Sequence, residues 1–127
     1  MLLNRKTVLI VDPSPIFRRK LKVTIQTNET PVDVIEADNT GQAEVILSNQ
    51  QIDVVFLDIG FPQEQVVQLI DAIDGAAGDM RLVVLAGHDA MAAQAAGLRD
   101  RADAFLPKEQ AVGLRLADVI REMIRRS

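Results

Sequence analysis

The stretch Ile52-Asp53-Val54-Val55-Phe56-Leu57-Asp58-Ile59-Gly60-Phe61-Pro62 decides the fold. Val54 to Leu57 is an unbroken apolar run of strand-favouring residues. A strand wetted on one face alternates apolar with polar residues. This run therefore predicts a strand buried on both faces, at the centre of a parallel sheet. It stops at a carboxylate, Asp58, and the chain then turns through Gly60 and Pro62. In open α/β sheets, ligands and chemistry gather just beyond the carboxyl ends of the strands. Asp58 is thereby a candidate functional acid, although a single aspartate at such a point reads more simply as a loop or helix cap.

A second strand ending the same way shifts that balance. Thr7-Val8-Leu9-Ile10-Val11 is again continuously apolar and β-branched, and it ends at Asp12. Two buried strands that each deliver a carboxylate to one edge make a small anionic pocket.

Composition fits an ordinary globular domain: 127 residues, 48% apolar and 25% charged, enough for one core. The chain has no Cys and one His, which excludes disulfides and thiolate metal sites and disfavours zinc. No apolar run approaches the about 18–20 residues that cross a membrane. Met1-Leu2-Leu3-Asn4-Arg5-Lys6 lacks the order of a signal peptide, so a cytoplasmic location is expected. A net charge of −4, with no Trp or Tyr, argues against nucleic-acid binding by this segment.

Around the two strands the chain alternates regularly. After Asp12, Ser14 suits an N-cap and Pro15 the first helical position. The helix that follows is expected to turn Ile16, Phe17, Leu21 and Ile25 inward and to leave Arg18, Arg19, Lys20 and Lys22 as a solvated face. Val32, Val34 and Ile35 predict a second strand ending near Ala37-Asp38. Asn39-Thr40-Gly41-Gln42 reads as a capping box opening a helix to about Leu47, with Ala43, Val45, Ile46 and Leu47 as its apolar content. Beyond Pro62, Val66, Val67, Leu69, Ile70 and Ile73 have helical spacing, and a break is expected at Asp74-Gly75-Ala76-Ala77-Gly78-Asp79. Leu82-Val83-Val84-Leu85 is a fourth buried strand, running into Ala86-Gly87-His88. Asp89 can cap a lightly packed, alanine-rich fourth helix through Leu98, and His88 reads as a loop residue. Ala104-Phe105-Leu106 is a short fifth strand followed by Pro107-Lys108-Glu109. The last helix presents Val112, Leu116, Val119, Ile120, Met123 and Ile124 inward and Arg115, Arg121, Arg125 and Arg126 outward.

Five β-α repeats imply an α/β, doubly wound parallel sheet between two helical layers, over a single domain spanning 1–127. The flavodoxin-like strand order 2-1-3-4-5 is the common solution, and it sets Asp12 beside Asp58. A flavodoxin-like enzyme or nucleotide binder finds no support. Asp12-Pro13-Ser14-Pro15 has neither the glycines nor the free N–H groups that cradle phosphate.

With these landmarks in place, the whole chain resembles a response-regulator receiver domain of bacterial two-component signalling (the CheY-like superfamily). Val8-Leu9-Ile10-Val11-Asp12, the Leu-Asp-x-x-x-Pro run from Leu57 to Pro62, the end of strand four and Lys108 carry the likeness. Pro15-Ile16-Phe17-Arg18 and Phe105-Leu106-x-Lys108-Glu109 look most like receivers that precede a LuxR-type helix-turn-helix domain. The resemblance implies a non-enzymatic signalling module that takes a phosphoryl group from a kinase histidine or a phosphotransfer protein. Asp58 matches the acceptor and Lys108 the phosphate-binding lysine. Asp12, Asp58 and the backbone carbonyl of Gly60 match ligands of a Mg²⁺ ion. Phe105 matches the aromatic switch on strand five. The face made by the fourth helix, strand five and the last helix matches the surface for an output partner or for the protein's own dimer.

The match has gaps at both ends of that mechanism. The second acid of the pair is replaced by Pro13, and the switch hydroxyl after Leu85 is replaced by Ala86. Gln63-Glu64-Gln65 stands where an acidic-glycine turn is usual, and Glu109 where Pro commonly follows the lysine. Mg²⁺ is expected to bind weakly, and one ammonium can neutralise the two remaining carboxylates without a metal. The sequence thus predicts a pseudo-receiver, a protein-interaction module phosphorylated weakly or not at all. The alternative is an ordinary response regulator switched by phosphate on Asp58.

Overall fold

The structure, a computed structural model, describes residues 5–27, 31–76, 78–87, 97–110 and 113–126. Strands β1 (Lys6–Val11), β2 (Val32–Ala37), β3 (Val54–Asp58), β4 (Arg81–Ala86) and β5 (Ala104–Pro107) form one parallel sheet in the order β2-β1-β3-β4-β5. The helices described are α1 (Pro15–Gln26), α2 (Thr40–Asn49), α3 (Gln63–Gly75) and α4 (Gly113–Arg126), the last one in the chain. This is the flavodoxin-like arrangement that the β-α alternation predicts.

The unbroken apolar runs have the expected cause. Val8, Ile10, Val54, Phe56, Val83, Leu85 and Leu106 face Leu21 and Ile25 of α1 and Leu116, Ile120, Met123 and Ile124 of α4. The alternate residues Leu9, Val11, Val55, Leu57, Leu82, Val84 and Ala86 face Val66, Leu69, Ile70 and Ile73 of α3 and Ala43 of α2. Each side chain of this size contributes about 1.5–3 kcal/mol when fully buried, so both faces of β3 are fixed by burial. The edge strand β2 is less covered, and Val34 and Ile35 are only half-buried.

Several local expectations are corrected. Ile16 does not join the inner face of α1; it is 70% exposed. It stands five and nine residues before Leu21 and Ile25, off the stripe those two define. Arg18, three and seven residues before them, falls on the stripe, so the basic cluster of α1 is not all solvated. In α2, Val45 is 60% exposed and the helix runs on to Asn49. Asn39 caps α2 by accepting from the Gln42 N–H, but the Gln42 side chain accepts from the N–H of Asp38, one residue further back than a capping box requires. Helix α3 continues through Asp74 to Gly75. His88, Asp89, Val112 and the alanine-rich helix up to residue 96 lie outside the described residues; Leu98 is buried against the α3 side of the sheet.

Candidate functional site

The strand order sets four positions side by side at the carboxyl edge of the sheet. Val11, the last residue of β1, pairs with Leu57, so Asp12 and Asp58 leave neighbouring strands at the same level. Asp58 pairs with Leu85, which makes Ala86 the next residue outward on β4. Ala86 pairs with Pro107, and Lys108 follows in a 3₁₀ turn, Lys108–Gln110.

The lysine reaches back across that edge. Its Nζ lies 2.7 Å from Asp12 Oδ2 and 3.4 Å from Asp58 Oδ2. Asp12 is fully buried and Asp58 is 5% exposed, so one ammonium faces two carboxylates with little water between them. The contact with Asp12 Oδ2 is an ion pair by distance but not a well-aligned hydrogen bond, and that oxygen has no other partner among the described residues. Beneath the ammonium lies the Phe17 ring, its centroid 4.2 Å from Nζ. A cation over a ring face is attracted by the ring quadrupole.

The loops hold the acids in place. Asp12 Oδ1 accepts from the Ser14 N–H at 2.8 Å, while the Ser14 side chain caps α1 by accepting from the Phe17 N–H. Arg18 donates to the Asp12 carbonyl at 2.6 Å and to Glu36 Oε1 at 3.0 Å, tying α1 to the ends of β1 and β2. Asp58 Oδ1 accepts from the Gly60 N–H at 3.2 Å, and a Cβ at Gly60 would lie 3.3 Å from Asp58 Oδ2. Any side chain at residue 60 therefore presses on the acid. Burial and the adjacent Asp12 charge push the Asp58 carboxyl above its ordinary value of 3.8, against the pull of Lys108 and the Gly60 N–H.

Asp12, Asp58 and Lys108 converge, with the Gly60 N–H beside Asp58. Ala86 is fully buried at the edge, and Phe105, half-buried, packs on the α3 side of the sheet opposite Val84. Phe17 and Arg18 were missed as site residues. Their spacing from Leu21 and Ile25 was the available signal.

The sequence profile described as the response regulator receiver domain matches residues 8–120. The chain belongs to that family. Among relatives of this receiver, the response regulator MprA of Mycobacterium sp. (strain KMS) is 28% identical over 120 residues, covering 94% of this chain and 51% of MprA. The sensory transduction protein LytR of Streptococcus mutans is 32% identical over 90 residues, covering 69% of this chain and 37% of LytR. The receiver spans about half the length of the MprA relatives it matches. Many solved structures share its fold. The signal receiver domain of an HD domain-containing protein from Pseudomonas fluorescens Pf-5 has a TM-score of 0.83 at 18% identity, over 99% of this chain and 91% of that one. The receiver domain of a LuxO repressor protein from Vibrio parahaemolyticus has 0.80 at 18%, over 96% and 92%. A chain from the complex of the CheA3 P1 domain with CheY6 of R. sphaeroides has 0.75 at 23%, over 94% and 97%.

Receivers generally bind Mg²⁺ at this edge and interact with histidine kinases or phosphotransfer proteins. The residues of this receiver do not fit such an ion. Among the described residues, no three His, Cys, Asp or Glu side chains gather in one place. Pro13 has no oxygen ligand in its side chain, and the free oxygens of both remaining acids face Lys108. A hard dication needs more oxygen than this. No helix of the described residues is long and apolar enough to cross a membrane.

Proposed function

We propose that residues 1–127 form a pseudo-receiver, a protein-interaction module whose binding face does not depend on phosphate at Asp58. One observation carries the reading: the Lys108 ammonium already spans Asp12 and Asp58, at an edge where Pro13 and Ala86 supply neither ligand nor hydroxyl. In a phosphorylating site, charge on the transferring group is neutralised by a metal and a lysine together. Here the lysine neutralises the acids instead. Asp58 and Lys108 then form a charge pair that takes up no phosphoryl group, and the face carrying Phe105 and Arg115 binds an output partner, or a second copy, constitutively.

The alternative, an ordinary phospho-switch fed by a histidine kinase or phosphotransfer protein, is favoured by one feature. Asp58 still lies at the carboxyl edge with a lysine 3.4 Å away. Intact-mass spectrometry after exposure to a small phosphodonor with Mg²⁺ decides between the two. The expected result is no phosphoryl adduct on the native chain. A stoichiometric adduct that disappears in Asp58→Asn would establish the alternative.

A further inference from the structure

Charge is divided between α1 and the helices on the opposite face of the sheet. Helix α1 carries Arg18, Arg19, Lys20 and Lys22 and no acid; α2 and α3 carry Glu44, Glu64, Asp71 and Asp74 and no basic residue. Arg18 is used internally, and Lys22 lies 3.8 Å from Glu36. Arg19 and Lys20 are exposed and make no ion pair among the described residues. On the other layer, among the described residues, Asp71 and Asp74 share the single cation Arg101, the Glu44 carboxylate meets only the amide of Gln68, and Glu64 is exposed.

Two of the exposed apolar residues also lie on α1. Among the described residues, the large hydrophobics left in water are Ile16, Val23 and Val45. Ile16, Lys20 and Val23 are spaced four and three residues apart, so with Arg19 they form one outward stripe two turns long. Opposite them, α3 has a shallow depression of about 490 Å³ lined by Gln63, Glu64, Val67, Gln68 and Asp71. Glu64 and Asp71 are seven residues apart, as are Ile16 and Val23, and Val67 lies between the acids.

We infer that the α1 stripe of one molecule docks into the α3 depression of a second copy of this chain. Ile16 and Val23 pack on Val67 and the aliphatic stems of Gln63 and Gln68 beside it, while Arg19 and Lys20 meet Glu64 and Asp71. A symmetric α1–α1 contact would set these cations against themselves, so the complementary charges select a head-to-tail contact. The inference is independent of the state of Asp58. Two helical turns bury less than the about 1,200 Å² of stable complexes, so association is weak and reversible.

Sedimentation velocity on the full chain, from about 10 μM to about 1 mM, reads it directly. In low salt the weight-average mass is expected to rise with concentration, and to rise less in about 0.5 M salt. Ile16→Asp, Lys20→Glu and Glu64→Lys should each weaken association at least about tenfold while leaving the circular dichroism unchanged. The mixture is the decisive arm. Ile16→Asp keeps a native α3 face and Glu64→Lys keeps a native α1 face, so equal amounts should form a 1:1 dimer that grows no further. A chain that stays monomeric at the highest concentration overturns the proposal. So does association lost in Arg115→Glu but kept in Ile16→Asp, which would place the contact on α4, and so does a mixture that fails to form the capped dimer.

Discussion

Asp58 is a carboxyl in a place that disfavours its charged form. It is buried, Asp12 repels it, and the opposing help comes from one ammonium at 3.4 Å and one backbone N–H. The net result is a folded-state pKa above the ordinary 3.8, which has a definite consequence for stability. Between 3.8 and the raised value, the native state holds a proton that the unfolded chain releases. The stability from this group is thus fully present below 3.8 and is lost as pH rises through the folded pKa. Asn at this position cannot ionise and can still accept the Gly60 N–H. Asp58→Asn should therefore unfold at higher urea concentration than the native protein at pH 7, and the gap should close as pH falls toward 3.8. Urea midpoints of both proteins across that pH range test this. An Asp58→Asn protein less stable than native at neutral pH would mean that Lys108 outweighs the burial.

At the scale of elements, α1 positions the site as much as the strands do. Arg18 joins three elements through the Asp12 carbonyl and Glu36, and its side chain is only 15% exposed. Arg18→Met keeps the aliphatic stem and removes these charged hydrogen bonds, at an expected cost of about 1.5–3 kcal/mol. Ile16→Ala, two residues earlier and exposed, should stay within about 0.5 kcal/mol. Urea denaturation separates the two, provided the slope is unchanged. The contrast also marks where the sequence could be read and where it could not. Strands β1, β3 and β4 were legible because burial on both faces demands continuous apolar runs, and the caps Ser14 and Asn39 because a helix start needs a side-chain acceptor. Asp12, Asp58 and Lys108 were legible as a group because strand order follows from β-α alternation. Arg18 was less so, since residue type suggests that an arginine is outside and an isoleucine inside. Only the phase of the helix, set by Leu21 and Ile25, reverses that expectation.

For the molecule as a whole, the proposed loss of switching at this sheet edge comes down to two side chains. Pro13 follows the buried Asp12, and Ala86 stands one residue beyond the partner of Asp58, with Phe105 on the neighbouring strand opposite Val84. A ligand shifts a conformational equilibrium only as far as its affinities for the two states differ. On the pseudo-receiver reading, a phosphate mimic at Asp58 of the native protein meets no hydroxyl from Ala86 and no complete metal site, so that difference is expected to be small. With Mg²⁺ and beryllofluoride, the amide resonances of Ala86, Phe105 and Leu106 are expected to stay in place. Pro13→Asp should tighten Mg²⁺ binding at least about tenfold, the equivalent of one recovered charged ligand. That gain must be won against Lys108, whose Nζ lies 2.7 Å from Asp12. Pro13→Asp together with Ala86→Thr should then let beryllofluoride move all three resonances together, because the mimic now has both a metal beside it and a hydroxyl to draw inward. A coordinated shift in the native protein would return this chain to the ordinary phospho-switches. A double variant that binds Mg²⁺ tightly yet shows no shift would place the loss of switching elsewhere than at these two positions, with the Lys108 ion pairs the first place to look.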